Sequence, residues 1–463
     1  MSDATTGRPS IVWLRDDLRV ADNPALVAAA ERGSPVVALY ILDEESPGIR
    51  PLGGATRWWL HQSLRSLSRS LADLGVPLVL RRGPASAVID DVLGATDAGA
   101  VFWNRRYGGA ERELDAAVKS SLRERGLDAS SFAASLLFEP WTISTGAGTP
   151  YAVFTPFWNA CRNAPPPRGP LEIPSGIDGW AGSIASDDLD DWGLEPRHPD
   201  WADGLREAWT PGEESARAAL EEFLADKLAD YADGRDVPAR AVTSRLSPHL
   251  RFGEISPHTV WQRATEQRRS STAARANATT RFLTELGWRE FTHHVLFHAP
   301  DLATVNWRSE FDAFPWPRLQ PEALEAWQDG RTGIPLVDAG MRELWVTGTM
   351  HNRIRMVTAS FLTKNLLIDW RRGEEWFWDT LVDADAASNP FNWQWVAGSG
   401  ADAAPYFRVF NPELQARKFD GDGEYVRRWV PEIGTPAYPD PIVDLGETRQ
   451  AALAAYDVVK RAR

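Results

Sequence analysis

A chain of 463 residues exceeds what one hydrophobic core normally spans, so two domains and a connecting segment are expected. Its 43% hydrophobic and 25% charged residues describe a soluble globular protein. With no run of about 18 apolar residues and no charged-then-apolar leader in MSDATTGRPS, a cytoplasmic address and no membrane partner are expected. The single cysteine, Cys161, excludes internal disulfides, a Cys-rich zinc site and a four-cysteine iron-sulfur cluster, and the net charge of -14 argues against a surface coated in nucleic acid while allowing a local basic face. The 22 tryptophans are a heavy load for core filler, because each buried indole N–H needs a partner.

From Ile11 to Phe138, short apolar runs alternate with helical patterns. Ile11 to Leu14, Val36 to Leu42, Pro77 to Leu80, Ala100 to Trp103 and Ser135 to Phe138 read as buried parallel strands, since they are continuous in apolar character. The stripe Leu60, Leu64, Leu67, Leu71 and Leu74, stopped by Gly75, predicts a helix between the second and third. The fold class is therefore α/β plus all-α, a doubly wound parallel sheet over residues 8–140 followed by a helical domain over 215–463. No glycine-rich phosphate motif follows any strand, so nucleotide chemistry is not expected at the sheet. Residues 141–214, with Pro165-Pro166-Pro167 and the acids Asp187, Asp188, Asp190 and Asp191, read as an irregular inter-domain connector.

In the helical part, Ser247-Pro248 and Ser256-Pro257 mark helix starts. The segment Tyr231 to Leu250 brings Thr243, Ser244, Ser247 and Arg235 to one of them, a ready phosphate site or an ordinary cap. Glu285 shares a helix face with Trp288 and lies one turn from Arg289, which suits either a protonated hydrogen-bond donor or a surface ion pair. His294 and His298 have zinc-compatible spacing but no third ligand, and no metal is expected. A helix over Gly340 to Trp376 carries Arg342, Arg353, Arg355, Lys364, Arg371 and Arg372 against few acids, a local basic surface. Last comes the aromatic- and Asn-rich stretch Asp383 to Pro412, whose mixture suits the wall of a cofactor cavity.

IVWLRDDLRVADNPAL, TSRLSPHLRFGEIS, ELGWREF, MHNRIRM and NWQWVAGSGADAAPYFRVFNP, in this order, resemble the photolyase and cryptochrome family, most nearly a class I-type photolyase for cyclobutane pyrimidine dimers. The resemblance implies FAD in the helical domain. Tyr231, Arg235, Thr243, Ser244, Leu246 and Ser247 would meet its phosphates, Asp383 and Asp385 the polar edge of the ring, with Arg355 pairing the first, and Asn389 would face flavin N5. It further implies Trp393, Trp370 and Trp316 as the electron supply. Glu285, Trp288, Asn352, Met356 and Trp395 would contact a lesion flipped out of damaged DNA, and Arg289 and Arg353 the flanking phosphates. Catalysis would be a light-driven, redox-neutral electron loan to the dimer; Asn352 and Asn389 lean toward repair, and a cryptochrome-like photoreceptor is the alternative. No long tail follows Arg463, so the extension of signalling cryptochromes is expected to be missing, and the protein to be a monomer. For a second, antenna chromophore, Arg57 and Asn104 match relevant positions; a deazaflavin is preferred, with methenyltetrahydrofolate or none left open.

Overall fold

Continuous apolar runs fold here as buried strands because both faces of the sheet are covered. The computed structural model describes residues 7–269, 272–403 and 407–462, so Tyr406 of the aromatic-rich stretch lies outside the described residues. β1 (Ser10–Leu14), β2 (Val36–Leu42), β3 (Leu78–Arg82), β4 (Ala100–Asn104) and β5 (Asp128–Phe132) pair in parallel in the order β3-β2-β1-β4-β5. Val12, Leu14, Ala38 and Phe102 pack with α1 (Pro24–Glu31) and α2 (Gly54–Asp73). Their chain neighbours Ile11, Trp13, Leu39 and Trp103 pack on the opposite face with α3 (Ala85–Thr96) and α4 (Gly109–Glu124). Leu60, Leu64, Leu67 and Leu71 of α2 are buried as the stripe predicts, and Gly75, at φ +75°, turns the chain just past the helix end.

The fifth strand differs from the expectation. β5 is an edge strand with only Ala129 fully buried, so DASSF offers no apolar run to detect. The apolar segment Ser135 to Phe138 passes instead to the helical side, where the N–H groups of Leu137 and Phe138 donate to Glu290 Oε2 at 2.9 and 3.1 Å. Nor is the connector structureless: a helix over Phe154–Asn163 buries Phe157, Trp158 and Cys161. It approaches the long helix of the next region so closely that a Cβ on Gly287 would lie 2.7 Å from the Trp158 ring.

The helical region that forms the site includes, after a short helix over Leu228–Gly234 that carries Tyr231, α5 (Ser247–Arg251), α6 (Pro257–Arg269), α7 (Ala273–His298), α8 (Pro335–Thr347), α9 (Asn352–Ser360), α10 (Trp370–Thr380) and α11 (Ser388–Ala397). Ser256 caps α6 as expected, its Oγ accepting from Thr259 N at 3.0 Å. Ser247 is instead the first residue of α5, with Leu246 in the cap position. The single helix expected over Gly340 to Trp376 is three: Gly348, at φ +64°, ends α8, His351 caps α9, and α9 runs into a π turn over Phe361–Asn365. Trp327, Trp370, Trp378 and Trp393 lie together in the core of this region. Among the described residues, no helix is long and apolar enough to cross a membrane.

Candidate functional site

Two adjoining cavities of about 260 and 440 Å³ open among α5, α7, α9 and α11 and share Tyr231, Ser244, Leu246, Ser247, Glu285, Asn352, Arg355 and Asp383. Together they reach the size of a cofactor site. Arg289, Met356, Asp385, Asn389 and Trp393 also line the first, and Arg235 and Thr243 the second. Chain order does not predict this gathering; the helix breaks at Gly348 and after Thr380 do, because they turn Asn352, Arg355 and Asp383 toward one space.

The polar groups of this space are incompletely paired. Asp383 Oδ2 accepts from Arg355 Nη2 at 3.0 Å, while Asp383 Oδ1 is buried with no partner. Arg355 is itself anchored by Nε donating to Met350 O at 2.7 Å. Asp385 Oδ1 accepts from Ala387 N and Ser388 N at 2.8 and 2.5 Å at the start of α11. Burial pushes the Asp385 carboxyl up, but the His293 ring, the Ser388 N–H and the cations Arg289 and Arg251 outweigh it and hold it below the usual range. Asn389 Nδ2 donates to Glu374 O and Oε1 at 3.0 and 2.9 Å, so the amide oxygen is the atom it has left for the cavity. The side chains of Thr243, Ser244 and Ser247 have no hydrogen bond to the described protein and remain available to an anion.

Several expected partners change. Glu285 pairs with Arg235, not Arg289. Arg289 donates to Ser135 O at 2.7 Å and lines the cavity wall, so it is not a free cation for DNA phosphates. Arg353 is held by both oxygens of Asp236 at 3.0 Å. The basic surface over Gly340 to Trp376 is matched by acids: Arg342 meets Glu432 from beyond the segment, Arg371 and Arg372 meet Asp369 and Glu375 within it, and Lys364 is buried. Trp288 does not line the cavity, because its ring stacks on Phe154 at 3.7 Å. Trp395 also stands outside that lining; its Nε1 donates to Asp402 O at 3.1 Å. Trp393 and Trp370 are buried in one core, Trp370 Nε1 donating to Asn306 Oδ1 at 3.0 Å, and half-buried Trp316 packs against that core. Gly373, one turn beyond Trp370, makes room for Trp393: a Cβ there would lie 2.1 Å from its ring.

A separate cavity of about 160 Å³ lies between the carboxyl ends of the strands and the helical region, lined by Arg15, Tyr40, Arg50, Arg105, Arg251 and His293 among others, and sharing Arg289 and Asp385 with the first. Neither residue expected at an antenna lines it. Asn104 is buried and donates to Asp17 and Asn23, and Arg57 is paired with Glu44.

Residues 10–173 match the family model for DNA photolyase, and residues 282–437 match that for the FAD binding domain of DNA photolyase. A deoxyribodipyrimidine photo-lyase of Agrobacterium fabrum is 50% identical over 98% of both chains. The chain belongs to the photolyase and cryptochrome family. Cryptochrome-1 of Arabidopsis thaliana is 39% identical over 94% of this chain and 64% of its own length. The crystal structure of a bacterial class III photolyase from Agrobacterium tumefaciens superposes with a TM-score of 0.94 at 48% identity, covering 100% of this chain and 99% of that one. These relatives lend no support to the class I type expected from the sequence.

FAD is the cofactor of this family domain, and the residues fit it. The orphaned Asp383 Oδ1, the cation Arg355 beside it and the unused hydroxyls at the α5 end supply a polar edge and an anion seat. Sequence reasoning missed Arg245 in that seat. It stands in the left-handed region at φ +55°, a strain of about 1 kcal/mol or more, held by Nη2 donating to Ala208 O at 2.7 Å and by the Trp209 ring 4.0 Å away. It also missed Glu374, whose partners lie 15 and 324 residues away. No local signal announces either.

Proposed function

We propose that this family member repairs cyclobutane pyrimidine dimers in DNA under light. One observation carries the reading: the groups suited to a flavin edge (Asp383, Asp385, Asn389) and those suited to a lesion (Glu285, Asn352, Met356) line one connected space. When bound, reduced FAD would supply the electron chemistry that splitting a dimer requires. Asp383 and Arg355 orient the cofactor, and Thr243, Ser244 and Ser247 hold its phosphates at the α5 end. The Glu285–Arg235 pair stands where charge develops on the lesion and is preorganised for it. Asn352 and Met356 seat a dimer that has left the stack, a step cheapest at a damaged site. Trp393, Trp370 and Trp316 would carry the electrons that keep the cofactor reduced.

Residues 8–140 are proposed as an antenna domain, 141–214 as the connector and 215–463 as the FAD- and DNA-binding domain, in a monomeric cytoplasmic protein. The test is conversion of a thymine-dimer oligonucleotide by fully reduced, flavin-replete protein under blue light; no conversion overturns the reading. Trp393→Phe should impair photoreduction yet spare repair by chemically reduced protein. The 39% identity to a plant cryptochrome favours a photoreceptor as second reading. Equal affinity for damaged and undamaged duplex would decide for it.

A further inference from the structure

Asn389 is held by a chain of charge that starts in the other half of the molecule. Glu374, 2% exposed, accepts both amide hydrogens of Asn389 through its backbone and side-chain oxygens. Its carboxylate in turn accepts from Arg50 Nη1 and Nη2 at 2.8 and 2.9 Å, a two-pronged bond. Arg50 belongs to the loop between β2 and α2. Its guanidinium lies 4.0 Å over the Trp378 ring, and Trp378 Nε1 donates to Pro51 O at 2.9 Å. The loop is pressed onto α10: a Cβ on Gly53 would lie 2.2 Å from Trp378 O, and Gly54 N donates to Asp379 Oδ1 at 2.8 Å.

An amide has two ends, and this arrangement selects one. Turning Asn389 over would set its oxygen against the Glu374 oxygens, acceptor against acceptor, so Oδ1 faces the cavity. Glu374 holds that orientation only while its buried charge has a counter-ion, and Arg50 is that ion. An acceptor beside flavin N5 favours the reduced ring, whose N5 carries a hydrogen, over the oxidised ring, whose N5 is itself an acceptor.

We propose that Arg50 and Glu374 are positioning residues that hold Asn389 Oδ1 toward the flavin, so that a loop of the sheet half sets the redox poise of the cofactor in the helical half. The proposal rests on the reading that Asn389 faces N5. Arg50 also lines the cavity beneath the sheet, so a ligand there that draws on its guanidinium reaches the flavin through the same chain.

The test is spectroelectrochemistry of the flavin-replete protein. Arg50→Gln should lower the ratio of reduced to oxidised flavin at a fixed poise by about tenfold, which is about 30 mV for a two-electron couple. Affinity for oxidised FAD should be unchanged, and Arg50→Lys, which keeps the charge but not the fork, should recover part of the shift. An unmoved potential in Arg50→Gln overturns the proposal. Asn389→Leu separates the two readings: if it lowers the potential and Arg50→Gln does not, the relay fails and the site reading stands, and if neither moves it, the placement of Asn389 at N5 fails first. Should Arg50→Gln not retain FAD, infrared difference spectra of unmutated protein carrying 13C-asparagine decide. A side-chain carbonyl band that shifts on flavin reduction supports the orientation, and its absence overturns it.

Discussion

Two polar crevices of similar composition end differently in this molecule. At the carboxyl ends of β1 and β4, where the strand order reverses and doubly wound sheets take ligands, Asn104 donates to Asp17 Oδ2 at 2.6 Å and Asn23 Oδ1 at 2.7 Å and accepts from Ala25 N at 3.2 Å. Arg15 backs this cluster by donating to Asn104 O and pairing with Asp115; only its Nε stays buried without a partner, beside the cavity of about 160 Å³ that Arg15 also lines. In the helical half, Asp383 keeps one oxygen without a partner, and the Thr243, Ser244 and Ser247 hydroxyls bond nothing in the described protein. Asn, Asp and Arg occur in both places. What separates a structural crevice from a binding site is unused hydrogen-bonding capacity, because buried polar groups are otherwise satisfied.

The largest effects should follow that division. Asp383→Ala removes the unused acceptor, while Arg355 keeps its bond to Met350 O; a charged hydrogen bond contributes about 1.5–3 kcal/mol, so FAD affinity should fall by about 10- to 100-fold in a fluorescence titration of the apoprotein. Its unfolding free energy should change much less. Asn104→Ala should do the reverse, taking one donor each from buried Asp17 and Asn23 and the acceptor from Ala25 N, costing about 2–3 kcal/mol of unfolding free energy in urea and leaving FAD affinity intact. Equal loss of both properties in either variant would break the comparison.

The same contrast sets how far the sequence could be read. Four strands and the α2 stripe were legible because burial on both faces writes an unbroken apolar run, which needs no partner to recognise. β5 was not, since an edge strand with one buried residue has no such run. Among candidate residues, Asp383, Asp385 and Asn389 stand in one short stretch and reached the cavity together. Asn104, Trp288 and Arg353 looked alike in type but were taken up by Asp17, Phe154 and Asp236, partners 87, 134 and 117 positions away in the chain. A residue's type is local, whereas the partner that satisfies it is set by the fold.

Acid should sharpen the comparison next. Burial holds the imidazoles of His258, His293, His294 and His351 down to about 4, against an ordinary 6.5. His351 shows why a neutral ring is needed: Nε2 is 2.9 Å from Arg235 O, which requires a donor, and Nδ1 accepts from Arg353 N at 3.2 Å. A folded pKa below the unfolded one makes the unfolded chain the stronger proton binder, so this stabilisation is whole above pH 6.5 and is lost as the pH falls toward 4. Glu290 runs the other way. Burial raises its carboxyl from 4.5 to about 7, so its contribution is present below pH 4.5 and lost as the pH rises through 7. Four rings outweigh one carboxyl, and urea unfolding at pH 7, 5.5 and 4.5 should show a falling free energy. Glu290→Gln should be more stable than the parent by about 1–2 kcal/mol at pH 7.5 and indistinguishable from it at pH 4.5.

Ser244→Ala should have the smallest effect and is the finest test of unused capacity as the mark of a site. Ser244 lines both joined cavities, and its hydroxyl gives nothing to the described protein, so its removal leaves no protein group stranded. Stability should therefore stay within about 0.5 kcal/mol of the parent, as for a substitution that breaks no internal bond. FAD affinity should still drop by about 2- to 10-fold, the worth of one hydrogen bond of about 0.5–1.5 kcal/mol to a phosphate oxygen. The drop should add to that of Asp383→Ala, because on the proposed reading one meets a phosphate and the other the ring, and they share no partner. If Ser244→Ala instead destabilised the apoprotein and left FAD binding unchanged, the hydroxyl would be serving the α5 turn, and the helical crevice would be closer in kind to the one under the sheet.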